Sequence, residues 1–104
     1  MIIRQQDKEK IISLAKKNFT QALKILAYGS RVNGEAHDTS DLDLVIISKN
    51  EEKININEFA SFKESLQDSN IPIFVQVLDW NNIPDSFHKN ILSNSEELLR
   101  IGYE

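Results

Sequence analysis

A Gly29-Ser30 pair closes one apolar run, and after ten intervening residues Asp41-Leu42-Asp43 opens the next. In an extended strand, side chains at i and i+2 leave the same face, so Asp41 and Asp43 project side by side with Leu42 packed beneath them. Adjacent carboxylates repel, and a divalent cation that prefers hard oxygen ligands, Mg2+ or Mn2+, relieves the repulsion while keeping positions open for water or substrate. With 16 acidic residues among 104, chance alone supplies about two acid-x-acid pairs, so the pair needs context to mean anything. Two exposed acids accepting backbone hydrogen bonds at a strand start would read the same way. The context is Gly29-Ser30. Glycine lets the chain turn sharply and approach a ligand, while Ser30 and the amides after it form a small anion nest at the start of a helical turn. Arg31 adds a charge-assisted contact to the same phosphates. A plain strand-to-helix turn capped by Ser30 is the alternative, and it loses ground because a cation site follows in the neighbouring strand. Together the two features suit the triphosphate of a nucleotide.

Elements must position these residues, and the hydrophobic periodicity supplies them. From Asp7 onward, Ile11, Leu14, Ala15, Asn18, Phe19 and Ala22 recur at steps of three and four, which predicts an amphipathic helix ending before Lys24. Ile25–Tyr28 reads as a short buried strand closed by Gly29, and Arg31–Ser40 as a helical turn plus loop. Asp41–Ile47 begins as strict alternation and becomes wholly apolar, the pattern of a central strand. Asn57 is placed to cap a helix with Phe59, Phe62 and Leu66 on one face, ended by Ser69-Asn70. Ile71–Leu78 is β-branched and aromatic enough for a third strand, with Pro72 tolerated at its start. Asp85 or Ser86 caps a last helix carrying Phe87, Ile91 and Leu92, and Leu98–Ile101 is a final extended piece. The fold class is α/β (α+β), a small mixed sheet backed by helices.

The length suits one domain, 1–104, and leaves no room for a second that would recognise a substrate. With no cysteine, disulfides, thiolate metal sites and cysteine nucleophiles are excluded. No apolar run approaches the roughly 18 residues of a membrane span, and the first residues run into charge, so a cytoplasmic protein without membrane partners is expected. The net charge of −4 argues against direct nucleic-acid binding. Its distribution is uneven: residues 1–34 carry +5 and residues 35–104 carry −9, so one end can meet an anion while the other gathers cations. His37 reads as a solvent-exposed loop histidine, His88 has no partner histidine, and Tyr28 and Trp80 read as packing residues.

The string GSRVNGEAHDTSDLDLVI resembles the G-S-x(10)-D-x-D pattern of the minimal nucleotidyltransferases, small members of the DNA polymerase beta-like nucleotidyltransferase superfamily. The likeness continues through IPIFVQVLDWNNIPDSFHKNIL, similar to that family's third strand and following helix. The resemblance implies the nucleotidyltransferase fold, magnesium on Asp41 and Asp43, outer phosphates on Gly29 and Ser30, and transfer of a nucleoside monophosphate, AMP from ATP, to an acceptor hydroxyl. It also implies a partner. Minimal nucleotidyltransferases pair with small all-helical HEPN-domain proteins, serving as the antitoxin that adenylylates the toxin.

One position departs from the pattern. Catalytic members supply a third carboxylate from the third strand, where this chain has Gln76. Its carbonyl oxygen can touch a metal, but it carries no charge and cannot accept a proton from an attacking hydroxyl. Asp79 is no substitute, because a spacing of three puts it on the opposite strand face. Two readings follow: an adenylyltransferase, or a catalytically weak or inactive nucleotide-binding antitoxin that neutralises its partner by binding.

Overall fold

The computed structural model describes residues 3–34 and 41–102. Helix α1 (Gln5–Asn18) precedes strand β1 (Leu23–Tyr28), the single-turn helix α2 (Ser30–Asn33) and strand β2 (Leu42–Ser48). After a 3-10 turn at Lys49–Glu51 come helix α3 (Ile56–Asp68), strand β3 (Val75–Asp79) and a second 3-10 turn at Trp80–Asn82. Helix α4 (Asp85–Ser93) and strand β4 (Ser95–Ile101) complete the order. Among these residues no helix is long and apolar enough to cross a membrane.

The four strands form one mixed sheet in the order β3-β2-β1-β4. β1 runs antiparallel to both β2 and β4, and β2 runs parallel to β3. A parallel neighbour cannot be reached by a tight hairpin, and α3 provides the crossover. Alternation along β2 divides the core. Leu42, Leu44 and Ile46 face α1 and α3, meeting Ile11, Ala15, Phe62 and Leu66, while Val45 faces α4 with Leu26, Tyr28, Trp80 and Ile91. Phe19 and Phe62 lock the two helices of the first layer together, their ring centroids 5.1 Å apart. β2 is therefore covered on both faces, which explains its nearly continuous apolar run.

Several boundaries differ from the sequence expectation, each for a physical reason. α1 stops at Asn18 because Phe19 turns extended and donates its amide to the Ala15 carbonyl at 3.0 Å, which leaves Ala22 outside the helix. β1 starts at Leu23, since Leu23 and Lys24 pair with Ser48 and Ile47. Asn55, not Asn57, caps α3: its side-chain oxygen accepts from the amides of Asn57 at 2.9 Å and Glu58 at 3.1 Å. β3 starts at Val75, because Ile71–Phe74 form a turn in which the Ile71 amide donates to the Ser69 hydroxyl at 3.3 Å. Pro84 occupies the N-cap position of α4, and Leu92 is 57% exposed instead of lying on the buried face. β4 extends back to Ser95 because β1 pairs with its whole length across a bulge.

Candidate active site

The turn from β1 into α2 is made by Gly29, with φ 83° and ψ −156°, a backbone conformation in effect reserved for glycine. Its carbonyl accepts the Val32 amide at 3.0 Å, closing the single helical turn that carries Ser30. Among the described residues no side chain caps α2 at its N-terminal end. Gly29 also lies against Asp43: a methyl group in place of its hydrogen would come within 2.6 Å of Asp43 Oδ2. The glycine thus serves two needs at once. It supplies the turn, and it lets a carboxylate of β2 pack onto the backbone of that turn.

Strand pairing sets what stands beside this carboxylate. Tyr28 is opposite Asp43 across the antiparallel pair, and Asp43 is opposite Gln76 across the parallel one. Register partners present their side chains on one face of a sheet. Tyr28, Asp43 and Gln76 therefore form a row across three strands on the α4 side, above the apolar layer of Leu26, Val45 and Leu78. Phe87 of α4 braces the row at its β1 end, its ring edge-on to Tyr28 with centroids 5.9 Å apart at 89°. Sequence reading did not single out Phe87 for this; its i, i+4 spacing to buried Ile91 was the available signal. Asp79 pairs with Ile46 and so belongs to the other face, where its carboxylate accepts from the Asn81 amide at 3.0 Å.

The electrostatics follow from the placement. Burial holds the Asp43 carboxyl above the usual carboxylate value, and the neighbouring Asp41 pushes it further the same way. The Tyr28 hydroxyl is pushed up to about 12, by burial first and the charge of Asp43 second. A group of two hard-oxygen donors, one of them half-buried and destabilised by its neighbour's charge, fits a divalent cation such as Mg2+. Among the described residues no third histidine, cysteine or acid joins the pair. The third donor in line is the neutral carbonyl of Gln76. Arg31 is buried within α2, 5% exposed, and has interaction partners of its own. Trp80 is buried as expected; His88 stacks on it at 3.6 Å and contacts its carbonyl oxygen through Nε2 at 2.7 Å, so both belong to the α4 packing. His37 lies outside the described residues.

A mixed four-stranded sheet with an acid pair opening the strand beside a glycine turn is the nucleotidyltransferase fold. The chain belongs to the family described as Polymerase beta, Nucleotidyltransferase, whose model matches residues 9–102. A Haemophilus influenzae protein named probable protein adenylyltransferase MntA is 40% identical over 67 residues. That match covers 64% of this chain and 57% of the relative, so the chain spans little more than half the length of the curated protein it resembles. Among solved structures, a toxin–antitoxin with AMP-PNP superposes with a TM-score of 0.74 at 19% identity over 92% of this chain and 75% of that one. A putative minimal nucleotidyltransferase gives 0.68 at 22% identity, covering 88% and 89%. A complex of a tri-AMPylated Shewanella oneidensis HEPN toxin with its MNT antitoxin gives 0.69 at 16% identity, covering 93% and 72%.

Proposed function

We propose that the protein transfers AMP from ATP to a hydroxyl of a small all-helical HEPN-type partner, as the antitoxin of a toxin–antitoxin pair. The observation that carries this reading is the packing of Asp43 against Gly29, which brings the acid pair beside the turn that starts α2. The adenylyltransferase name of the Haemophilus relative and the AMPylated HEPN toxin held by a structural neighbour support the choice of reaction and partner. In this reading Asp41 and Asp43 hold Mg2+ or Mn2+, which supplies neutralisation of phosphate charge when bound. The amides after Gly29 and the Ser30 hydroxyl take the outer phosphates, with Arg31 beside them. Held so, the α-phosphorus is open to in-line attack by the acceptor oxygen: the new P–O bond forms, the bond to the β-phosphate oxygen breaks, and pyrophosphate leaves. The hydroxyl proton then passes to water, since Gln76 cannot take it.

The register of Gln76 against Asp43 favours a second reading, in which nucleotide and partner bind without efficient transfer. Loss of a general base commonly costs about 10²–10⁴ in rate. The two readings separate when the protein is incubated with its helical partner, ATP and Mg2+ and the partner is weighed by mass spectrometry. A gain of one or more AMP supports transfer. ATP binding by calorimetry without any mass gain supports the second reading, and no binding at millimolar ATP with metal present overturns both.

A further inference from the structure

β3 is the outer strand of the sheet, and among the described residues nothing pairs with its far edge. In a parallel pair, alternate residues bond the neighbour; the Leu42 amide reaches the Phe74 carbonyl at 2.9 Å, which assigns Phe74, Gln76 and Leu78 to β2. Val75 and Val77 therefore turn their N–H and C=O groups outward. This edge is not protected in the usual ways: it has no lysine, no proline and no bulge within the strand. Beside it lie two cavities of similar size. One, about 250 Å³, lies between Lys63 and Gln67 of α3 and residues 74–78; the other, about 240 Å³, is formed by Leu66, Ile71, Ile73 and their neighbours. Phe74, 56% exposed, borders both.

Two side-chain-sized cavities following one unpaired strand edge match the requirements of β-strand addition, in which main-chain bonds give affinity and alternate side chains fill pockets. We infer that the β3 edge docks an extended segment of a partner protein, with apolar residues two positions apart entering the two cavities and an acidic residue facing Lys63. Charge selects this occupant: among the described residues Lys63 is the one charged side chain lining either cavity. A second copy is a poor fit. Antiparallel self-pairing about Val77 sets Asp79 against Val75 and brings two Lys63 side chains to one seam. Pairing β3 to the β4 edge of another copy is head-to-tail and gives rings or filaments, not a two-fold dimer. The docked segment lies next to Gln76, one strand from Asp43, yet the inference stands on the edge and its cavities whether or not AMP is transferred.

The test uses a capped octapeptide alternating valine with threonine and carrying one central glutamate, added at millimolar concentration to the isotopically labelled protein. Backbone NMR and amide exchange read the result. The expected outcome is slowed exchange of the Val75 and Val77 amides, with binding lost when the peptide amides that face β3 are N-methylated and kept when those that face away are. Replacing the glutamate with lysine should weaken binding by about threefold, and Lys63→Glu should reverse that preference, as for a partly screened ion pair. Phe74→Asp should abolish binding while leaving the spectrum of the rest of the sheet in place. Unchanged Val75 and Val77 amides at saturating peptide, or equal affinity for the acidic and basic peptides, would overturn the inference. Protection of the same amides without peptide, accompanied by a dimer in sedimentation, would overturn it in favour of pairing between copies.

Discussion

Asp43 and Gln76 stand opposite each other in parallel register on β2 and β3, their side chains on the same face of the sheet. An amide thus occupies the position nearest the half-buried carboxylate on the edge-strand side. Restoring a carboxylate there adds a proton acceptor next to the acid pair and strengthens cation binding. Gln76→Asp is expected to raise AMP transfer to the partner by about tenfold or more, the lower end of a general base's contribution. The same change places a third negative charge beside Asp43, so the metal-free variant should melt below the parent. Mass spectrometry of the partner and thermal melts without metal check the two effects separately. A parent that already transfers AMP quickly, with no gain in the variant, would show that the proton leaves by another route.

Two glycines separate turn strain from close packing. Gly34 adopts φ 87° and none of the described residues lies within 4 Å of where its side chain would go, so Gly34→Ala should cost chiefly the left-handed backbone, about 1–2 kcal/mol. Gly29→Ala carries a comparable backbone cost, about 1–3 kcal/mol, and also drives a methyl against Asp43 Oδ2 at 2.6 Å. The expected result is a larger fall in Tm for Gly29→Ala and loss of ATP binding in that variant alone. At about 4–8 °C per kcal/mol for a domain of this size, differential scanning calorimetry resolves the difference. Equal effects on ATP binding would mean that the contact with Asp43 has no part in the site.

The residues of the candidate site were legible in the sequence, whereas their neighbours were not. Gly29 and the acid pair announce themselves by local spacing, and the alternation of Asp41 to Leu44 fixes which side chains share a face. The opposition of Asp43 and Gln76 and the bracing of Tyr28 by Phe87 depend on strand register and helix docking, which no local pattern encodes. The same limit explains β4, expected only over Leu98–Ile101: Glu96 and Glu97 join the strand because β1 supplies a pairing partner. Asn55 and Asn57 make the point in miniature. Both are good caps, and the choice is settled by which amide pair turns toward a side-chain oxygen. Asn55→Ala should therefore destabilise the protein by about 1 kcal/mol and Asn57→Ala by far less, as measured by urea denaturation. A reversed order would place the start of α3 two residues later.

Protonation of the row gives the last prediction. Asp43 is held above the ordinary carboxylate value by burial and by Asp41, so the folded state favours its neutral form. A group whose pKa is raised on folding contributes stability that is complete below its unfolded value and is lost as pH rises through the folded one. For Asp43 the loss starts near the ordinary value of about 3.9 and ends once the pH has passed the raised value of the folded state. Asp43→Asn removes this penalty, so the metal-free variant should melt higher than the parent at pH 7 and show no such advantage near pH 3. Tyr28, pushed up to about 12, follows the same sign at the alkaline end. Tyr28→Phe should flatten the fall in stability that begins near the ordinary tyrosine value of about 10. Adding Mg2+ and ATP should invert the first comparison: the parent gains Tm from binding, while Asp43→Asn, with one charge where two attract the cation, binds about tenfold more weakly or worse. An Asp43→Asn variant that is stabilised without ligand yet binds Mg2+–ATP as well as the parent would show that the strained carboxylate serves the fold and not the nucleotide.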